Sequence, residues 1–312
     1  MQKLYDRISK DKFMLKYTVI LVPLILGIWQ FPMIYSPEET QDYSKTMVPF
    51  LQNCSISSLP DERGTLRYYT ECISHYLGND KLVSFLVNVG LLPMTYLFTS
   101  SLTKKPLAGI ISMVTVGTSW MWQYYTPSVS YSQEWTLLFF ASLYLINKGS
   151  RFGGVVYFAS ILSKAISLLY CPIVFYTSKR KNIIYTIIPV IAAASLILYG
   201  DNHIMNGAIL QFSWGKVINE PVTLWNLLSP YWVLLFLIPA SIILLSIRKD
   251  KLSKYFIFSI AIMLGDILFI DMFTNLDNQH YRLFGLLIML SAGFGYGVIS
   301  LIETKAYNLA KA

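Results

Sequence analysis

An all-α, polytopic membrane fold is what this 312-residue chain predicts, on three observations. Hydrophobic residues make up 54% of it and charged residues 13%, with a mean hydropathy of +0.50, which is more apolar surface than a soluble chain of this length buries. The apolar residues gather into runs separated by short polar stretches. Finally, 18 of the 25 Lys and Arg residues fall in six short clusters between those runs, and threading the runs through a bilayer puts all six on one side, as the positive-inside rule asks of cytoplasmic loops. The formal charge of +8 is thereby accounted for by topology, and no nucleic-acid partner is expected.

The elements follow in order. Lys3, Arg7, Lys10, Lys12 and Lys16 precede the run Tyr17 to Tyr35, which is about long enough to cross a hydrocarbon core. No small-residue cleavage site follows, so the first helix is expected to remain as an anchor with the N-terminus in the cytoplasm. The stretch from Ser36 to Asp80 holds seven of the 17 acids and is expected outside. Leu82 to Leu102 returns to Lys104 and Lys105, Leu107 to Tyr125 leaves again, and Trp135 to Ile146 comes back to Lys148 and Arg151.

The next segment, Phe152 to Ser178, is the irregular one. A single crossing would strand Lys179, Arg180 and Lys181 outside, against the charge bias. Two short helices meeting near Ser163-Lys164 are expected instead, with Lys164 at the outer end of the hairpin and the second arm opening into Pro172. Arms of about 13 residues cannot cross an ordinary bilayer upright, so protein must cover their ends. Ile183 to Tyr199, Trp225 to Ile247, Tyr255 to Phe273 and Leu283 to Ile302 complete ten crossings in one transmembrane domain, 1–312, with outer loops at about 36–80, 200–222 and 275–282. Both termini are expected in the cytoplasm, in a plasma membrane or ER-type membrane.

Soluble-enzyme signatures do not occur: no zinc spacing, P-loop or nucleophile elbow is present, and His75, His203 and His280 are too scattered to argue a metal site. Cys54 and Cys72 share the first outer loop and can pair if the compartment oxidises them, whereas Cys171 reads as a small core residue. Directly after the first span comes Pro37-Glu38-Glu39-Thr40-Gln41-Asp42-Tyr43. A carboxylate held at a bilayer surface beside apolar protein gains proton affinity, which suits a general base; the same acids also serve as an ordinary solvated helix start. Asp266 lies deep in a span and has to face protein or water. Trp120, Trp122, Tyr124, Tyr125 and Trp135 read as an interfacial aromatic belt.

The order of features carries a resemblance. After the acidic exit motif come Gly64-Thr65-Leu66-Arg67-Tyr68-Tyr69 and Tyr76-Leu77-Gly78-Asn79-Asp80-Lys81 before the second span. Next are Thr126-Pro127 leading to Tyr131-Ser132-Gln133-Glu134-Trp135, then Ile161-Leu162-Ser163-Lys164-Ala165 running to Tyr170-Cys171-Pro172, and His280-Tyr281-Arg282 before a Gly-rich last span. This succession resembles the GT-C superfamily of membrane glycosyltransferases, in its protein O-mannosyltransferase and aminoarabinose-transferase-like branch. It departs from that pattern in having Glu38 where the family has Asp, in a tyrosine one position late, and in ending after the membrane module, without the soluble C-terminal domain many members carry.

The resemblance implies transfer from a sugar linked to polyprenyl phosphate to an acceptor hydroxyl of a glycan, lipid or protein, with inversion. Glu39 or Asp42, with Glu38 beside them, would take the acceptor proton. Charge growing on the departing phosphate would be met by Lys164, Arg282, His280 and Arg67, outer-face groups that the charge rule does not otherwise require. Glu134 and Asp266 are further candidates for substrate contact or structure, and acids beside a phosphate leave room for a divalent cation. Two other classes stay open: a polysaccharide polymerase or ligase of the EpsG/Wzy type, dependent on Arg63, Arg67 or Arg282, and a non-catalytic subunit of a membrane complex.

Overall fold

The computed structural model describes residues 12–37, 48–52, 54, 65–129, 133–178, 183–199, 222, 225–226, 228–273 and 282–311. Every regular element among the described residues is helical: α1 Lys12–Gln30, α2 Val48–Gln52, α3 Thr65–Tyr76, α4 Leu82–Thr103, α5 Pro106–Gly117, α6 Trp120–Tyr125, α7 Glu134–Lys148, α8 Phe152–Ser163, α9 Cys171–Thr177, α10 Ile184–Tyr199, α11 Trp232–Arg248, α12 Lys251–Phe273 and α13 Leu283–Lys311. Short 3-10 turns extend α1 (Phe31–Tyr35) and precede α9 (Ala165–Tyr170).

Among the described residues, three stretches are long and apolar enough to cross a membrane on their own: Leu15–Tyr35, Leu82–Thr103 and Leu283–Thr304. The ten crossings expected are therefore not matched by ten full-length spans among the described residues. The run from Leu107 to Tyr125 breaks at Thr118-Ser119, because Ser119 caps a new helix by accepting a hydrogen bond from the Trp122 backbone N–H at 3.2 Å. The helix expected from Trp225 is continuous only from Trp232. An apolar run is blind to such breaks, since apolar residues continue on both sides of them.

Helix ends at one pole of the bundle gather the basic loops. α4 stops where Lys104 turns left-handed (φ 60°), and α5 opens on Pro106 after extended Lys105. Lys105 pairs with Glu303, and its Nζ lies 5.3 Å from the centre of the Tyr296 ring. Arg248 reaches Thr304 at 3.4 Å, and Asn147 donates to Ser101 Oγ at 2.7 Å. The loops after α4, α7 and α11 thus share a pole with the second half of α13. At the other pole Lys81 Nζ donates to the Ser36 carbonyl at 2.7 Å, Asn79 reaches the Ile34 carbonyl at 3.4 Å, and a Cys54–Cys72 disulfide ties the loop to α3.

The segment 152–178 starts and ends at the basic pole. Ser160 and Ser167 hydroxyls are 2.8 Å apart and Tyr157 donates to the Ser167 carbonyl at 2.7 Å, whereas seven residues of unbroken helix would separate that pair by about 10 Å. The chain reverses at Lys164, whose backbone is extended (φ −156°, ψ 118°). Thr177, at the end of α9, then bonds to Tyr255 at 3.1 Å, close to the start of α12. The reversal expected at Ser163-Lys164 is the one observed. With 12 residues α8 spans about 18 Å, short of a bilayer core, and α3 packs against it.

A close helix crossing lies between α5 and α13. A Cβ at Gly295 would stand 2.5 Å from the Ala108 carbonyl oxygen and 2.7 Å from Ser112 Oγ. Ser112 donates across the same crossing to the Ser291 carbonyl at 2.9 Å. Ala108/Ser112 facing Ser291/Gly295 is the small-residue arrangement that lets helix backbones approach closely in lipid.

Candidate functional site

At the pole carrying the disulfide, ionisable and polar side chains collect around Trp135. α7 begins at Glu134, which places Glu134 on its first turn and Trp135 directly after it. Glu134 is 4% exposed. The Thr70 hydroxyl of α3 donates to its Oε1 at 3.2 Å, while Oε2 is buried without a hydrogen-bond partner among the described residues.

Trp135, 1% exposed, joins the surrounding elements. Its carbonyl accepts from Ser160 Oγ of α8 at 2.8 Å, so the serine pair that closes the hairpin also binds the start of α7. Lys164 follows within one turn; its backbone N–H donates to the Ser160 carbonyl at 3.0 Å and its side chain is half-buried. The Trp135 ring lies 6.0 Å from that of Tyr170, and the Tyr170 hydroxyl donates to Asp266 Oδ2 at 2.8 Å. Asp266 is 5% exposed and, as its depth requires, faces protein. The last helix closes the ring of elements, since a Cβ on Gly285 would be 3.6 Å from Trp135 Cη2. Arg282 lies one turn before Gly285 and is 4% exposed.

Of the sequence-predicted residues, Glu134, Lys164, Asp266 and Arg282 therefore stand on elements that meet at Trp135. Glu38, Glu39, Asp42 and His280 lie outside the described residues. So does the side chain of Arg67, whose backbone belongs to α3. Among the described residues no group of three or more His, Cys, Asp or Glu side chains is placed to hold a metal ion.

Three features of the site were not legible in the sequence. Residues 65–76 read as part of a polar loop, yet they form α3, which buries Glu71 (1% exposed), Cys72 and Ser74. Trp135 was expected in an interfacial belt. That belt divides: Trp120 and Tyr124 are exposed and stacked at 4.7 Å, whereas Trp122, Tyr125 and Trp135 are core residues. Trp122 is held by the Asn88 carbonyl, which accepts from Nε1 at 2.8 Å. Tyr170, the partner of Asp266, carried no distinguishing signal, because a tyrosine in an apolar arm is compatible with any buried role.

No family model, curated protein or solved structure matches the chain.

Proposed function

We propose that this protein is a membrane glycosyltransferase of GT-C type, with ten crossings counting the hairpin arms as two and both termini in the cytoplasm. It would move a sugar from a polyprenyl-phosphate-linked donor to an acceptor hydroxyl on the extracytoplasmic face, inverting the anomeric centre. One observation carries the reading: Glu71, Glu134, Asp266 and Arg282 are each 5% exposed or less at the pole opposite the basic loops. Ionisable groups are expensive at such depth and are kept where they handle substrate. A purely structural subunit gains more from apolar packing at the same positions.

The chemistry follows from where charge develops. The donor's tail occupies lipid and its phosphate reaches the outer rim. Glu39 or Asp42, with Glu38 adjacent, removes the acceptor proton as its oxygen attacks the anomeric carbon from the side opposite the phosphate. The bond to phosphate breaks, and the departing anion meets Lys164 at the hairpin elbow and Arg282 at the entrance to α13, with His280 and Arg67 as further donors. Fixed cations in a partly desolvated site stabilise that charge far more than water does. Arg offers a bidentate fork and Lys a point charge. Glu134 and Asp266 orient the acceptor or hold the cations in place, and a divalent cation beside the phosphate is compatible with these acids.

The test supplies purified protein in lipid nanodiscs with radiolabelled polyprenyl-phosphate mannose, glucose or galactose in turn, and with delipidated membrane extract as acceptor source. Released polyprenyl phosphate is counted. Glu39→Gln, Asp42→Asn, Lys164→Gln and Arg282→Gln are expected to lower turnover at least about 100-fold for the base and for the main phosphate contact, with unchanged elution on size exclusion. Turnover insensitive to Glu39 and Asp42 but lost with Arg63, Arg67 or Arg282 would point to a polymerase. Indifference to all of them would leave the subunit reading.

A further inference from the structure

The pole opposite Trp135 holds a feature that the transferase reading does not use. A cleft of about 320 Å³ opens between α11 and the second half of α13. Gly297 lets the two helices touch there, since a Cβ on it would lie 2.6 Å from Leu244 Cβ. Its walls are Leu244, Ile247 and Leu301, of which Ile247 is 64% and Leu301 50% exposed. Apolar walls that open sideways from a bundle of this composition face acyl chains.

The mouth of the cleft is charged. Arg248 Nε donates to Asp250 Oδ2 at 3.1 Å, Nη1 reaches Thr304 Oγ1 at 3.4 Å, and the guanidinium carbon sits 5.7 Å from the centre of the Tyr296 ring. These contacts use only part of the five N–H donors of an arginine. Asp250 is already satisfied, accepting from the Tyr296 hydroxyl at 2.6 Å and from the Ser253 backbone N–H at 2.7 Å. Lys249, Lys251 and Lys254 are exposed beside it. The rim is therefore net positive, above an apolar groove.

We infer that this cleft binds an anionic phospholipid, its phosphate on Arg248 with Lys249 and Lys251 as neighbouring charges, and the first methylenes of one acyl chain against Ile247 and Leu301. Basic residues at the interface attract anionic lipid even without a groove; the groove adds a fixed position and a requirement for the tail. Inorganic phosphate satisfies the cations but leaves the walls unused, and a zwitterionic lipid fills the walls without net charge for the rim. The inference is independent of what happens around Trp135.

The full-length protein, delipidated in detergent, is titrated with phosphatidylglycerol, with phosphatidylcholine and with inorganic phosphate, and is read by native mass spectrometry and by thermal unfolding. Phosphatidylglycerol is expected to remain bound at collision energies that strip phosphatidylcholine, and to raise the midpoint by several degrees. Arg248→Gln should lower its retention at least about tenfold, the loss of one hydrogen bond to a charged group, and cancel the thermal gain. Ile247→Trp, which fills the groove from an exposed position, should do the same with an unchanged midpoint in detergent alone. Equal retention of the two lipids, reproduction of the shift by inorganic phosphate, or a full phosphatidylglycerol response in either variant overturns the site. Should Arg248→Gln fail to purify, Ile247→Trp and Leu301→Trp decide by the same criterion.

Discussion

Replacing Gly295 and Gly265 by alanine, one at a time, separates close helix approach from helix propensity. Both glycines sit in apolar helices, so each substitution gains about 1 kcal/mol of intrinsic helix preference. At Gly265 nothing lies within 4 Å of the new Cβ, and Gly265→Ala should be neutral or stabilising by up to that amount. At Gly295 the methyl would stand 2.5 Å from a backbone carbonyl, roughly 0.8 Å inside the shortest ordinary carbon–oxygen contacts of about 3.3 Å. A carbonyl in a helix cannot rotate aside, so α5 and α13 must separate, stretching the Ser112–Ser291 bond with them. Overpacking of this kind costs about 1–3 kcal/mol; at the upper end, less the propensity gain, Gly295→Ala loses about 2 kcal/mol. At about 2 °C per kcal/mol for a chain of this size, its midpoint should fall by about 4 °C. The seven tryptophans make intrinsic fluorescence during heating in detergent a direct assay. A Gly295→Ala protein as stable as Gly265→Ala would refute the claim that this crossing is limited by backbone contact.

Alkylation of the unreduced, denatured protein should modify one cysteine, Cys171, and three after reduction; three before reduction would remove the Cys54–Cys72 link. Cutting that link by Cys72→Ser should cost about 3 kcal/mol of loop-closure entropy for an 18-residue separation, read as a lowered midpoint. At Asp250 burial pushes the carboxyl pKa up, but hydrogen bonds from the Tyr296 hydroxyl, from Ser253 and from Arg248 outweigh it and hold the value at about 2, below the ordinary 3.8. A depressed acid stabilises fully above its unfolded value and loses that contribution as pH falls toward its folded one. The midpoint difference between wild type and Asp250→Asn should therefore be constant from pH 8 to 5 and shrink from pH 4 toward 2; a difference that changes between pH 8 and 6 would contradict it. Tyr170→Phe removes a donor from buried Asp266 and should cost about 1–3 kcal/mol, against near-neutrality for Tyr124→Phe, whose ring is exposed.

What the sequence carried, and what it hid, divides along a physical line. The positive-inside reading of the clusters at 104–105, 148–151 and 179–181 asks for a reversal near Lys164, and the Ser160–Ser167 contact shows the chain reversing there. Burial in an apolar chain has no comparable signature. Trp135 stands at a helix start, where an interfacial ring and a core ring look alike, and only the contacts with Ser160, Tyr170 and Gly285 tell them apart. α3 escaped because its buried face includes a carboxylate, Glu71, which breaks the apolar period used to recognise a helix. The stop at Thr118-Ser119 escaped because tryptophan and methionine resume at once on its far side.

The covalent link between Cys54 and Cys72 has a consequence for assembly. Both partners emerge before α4 is complete, so the bridge can close while most of the polypeptide is still unmade. α3 is then already tethered when the hairpin and, last of all, the segment bearing Arg282 arrive. Glu134 thus receives its Thr70 neighbour from a piece fixed early, and the polar cluster is completed by whatever is synthesised latest. Arrest of translation after α12 would leave the bundle without its final arginine and without the core side chains Leu283 to Leu290 that α13 brings.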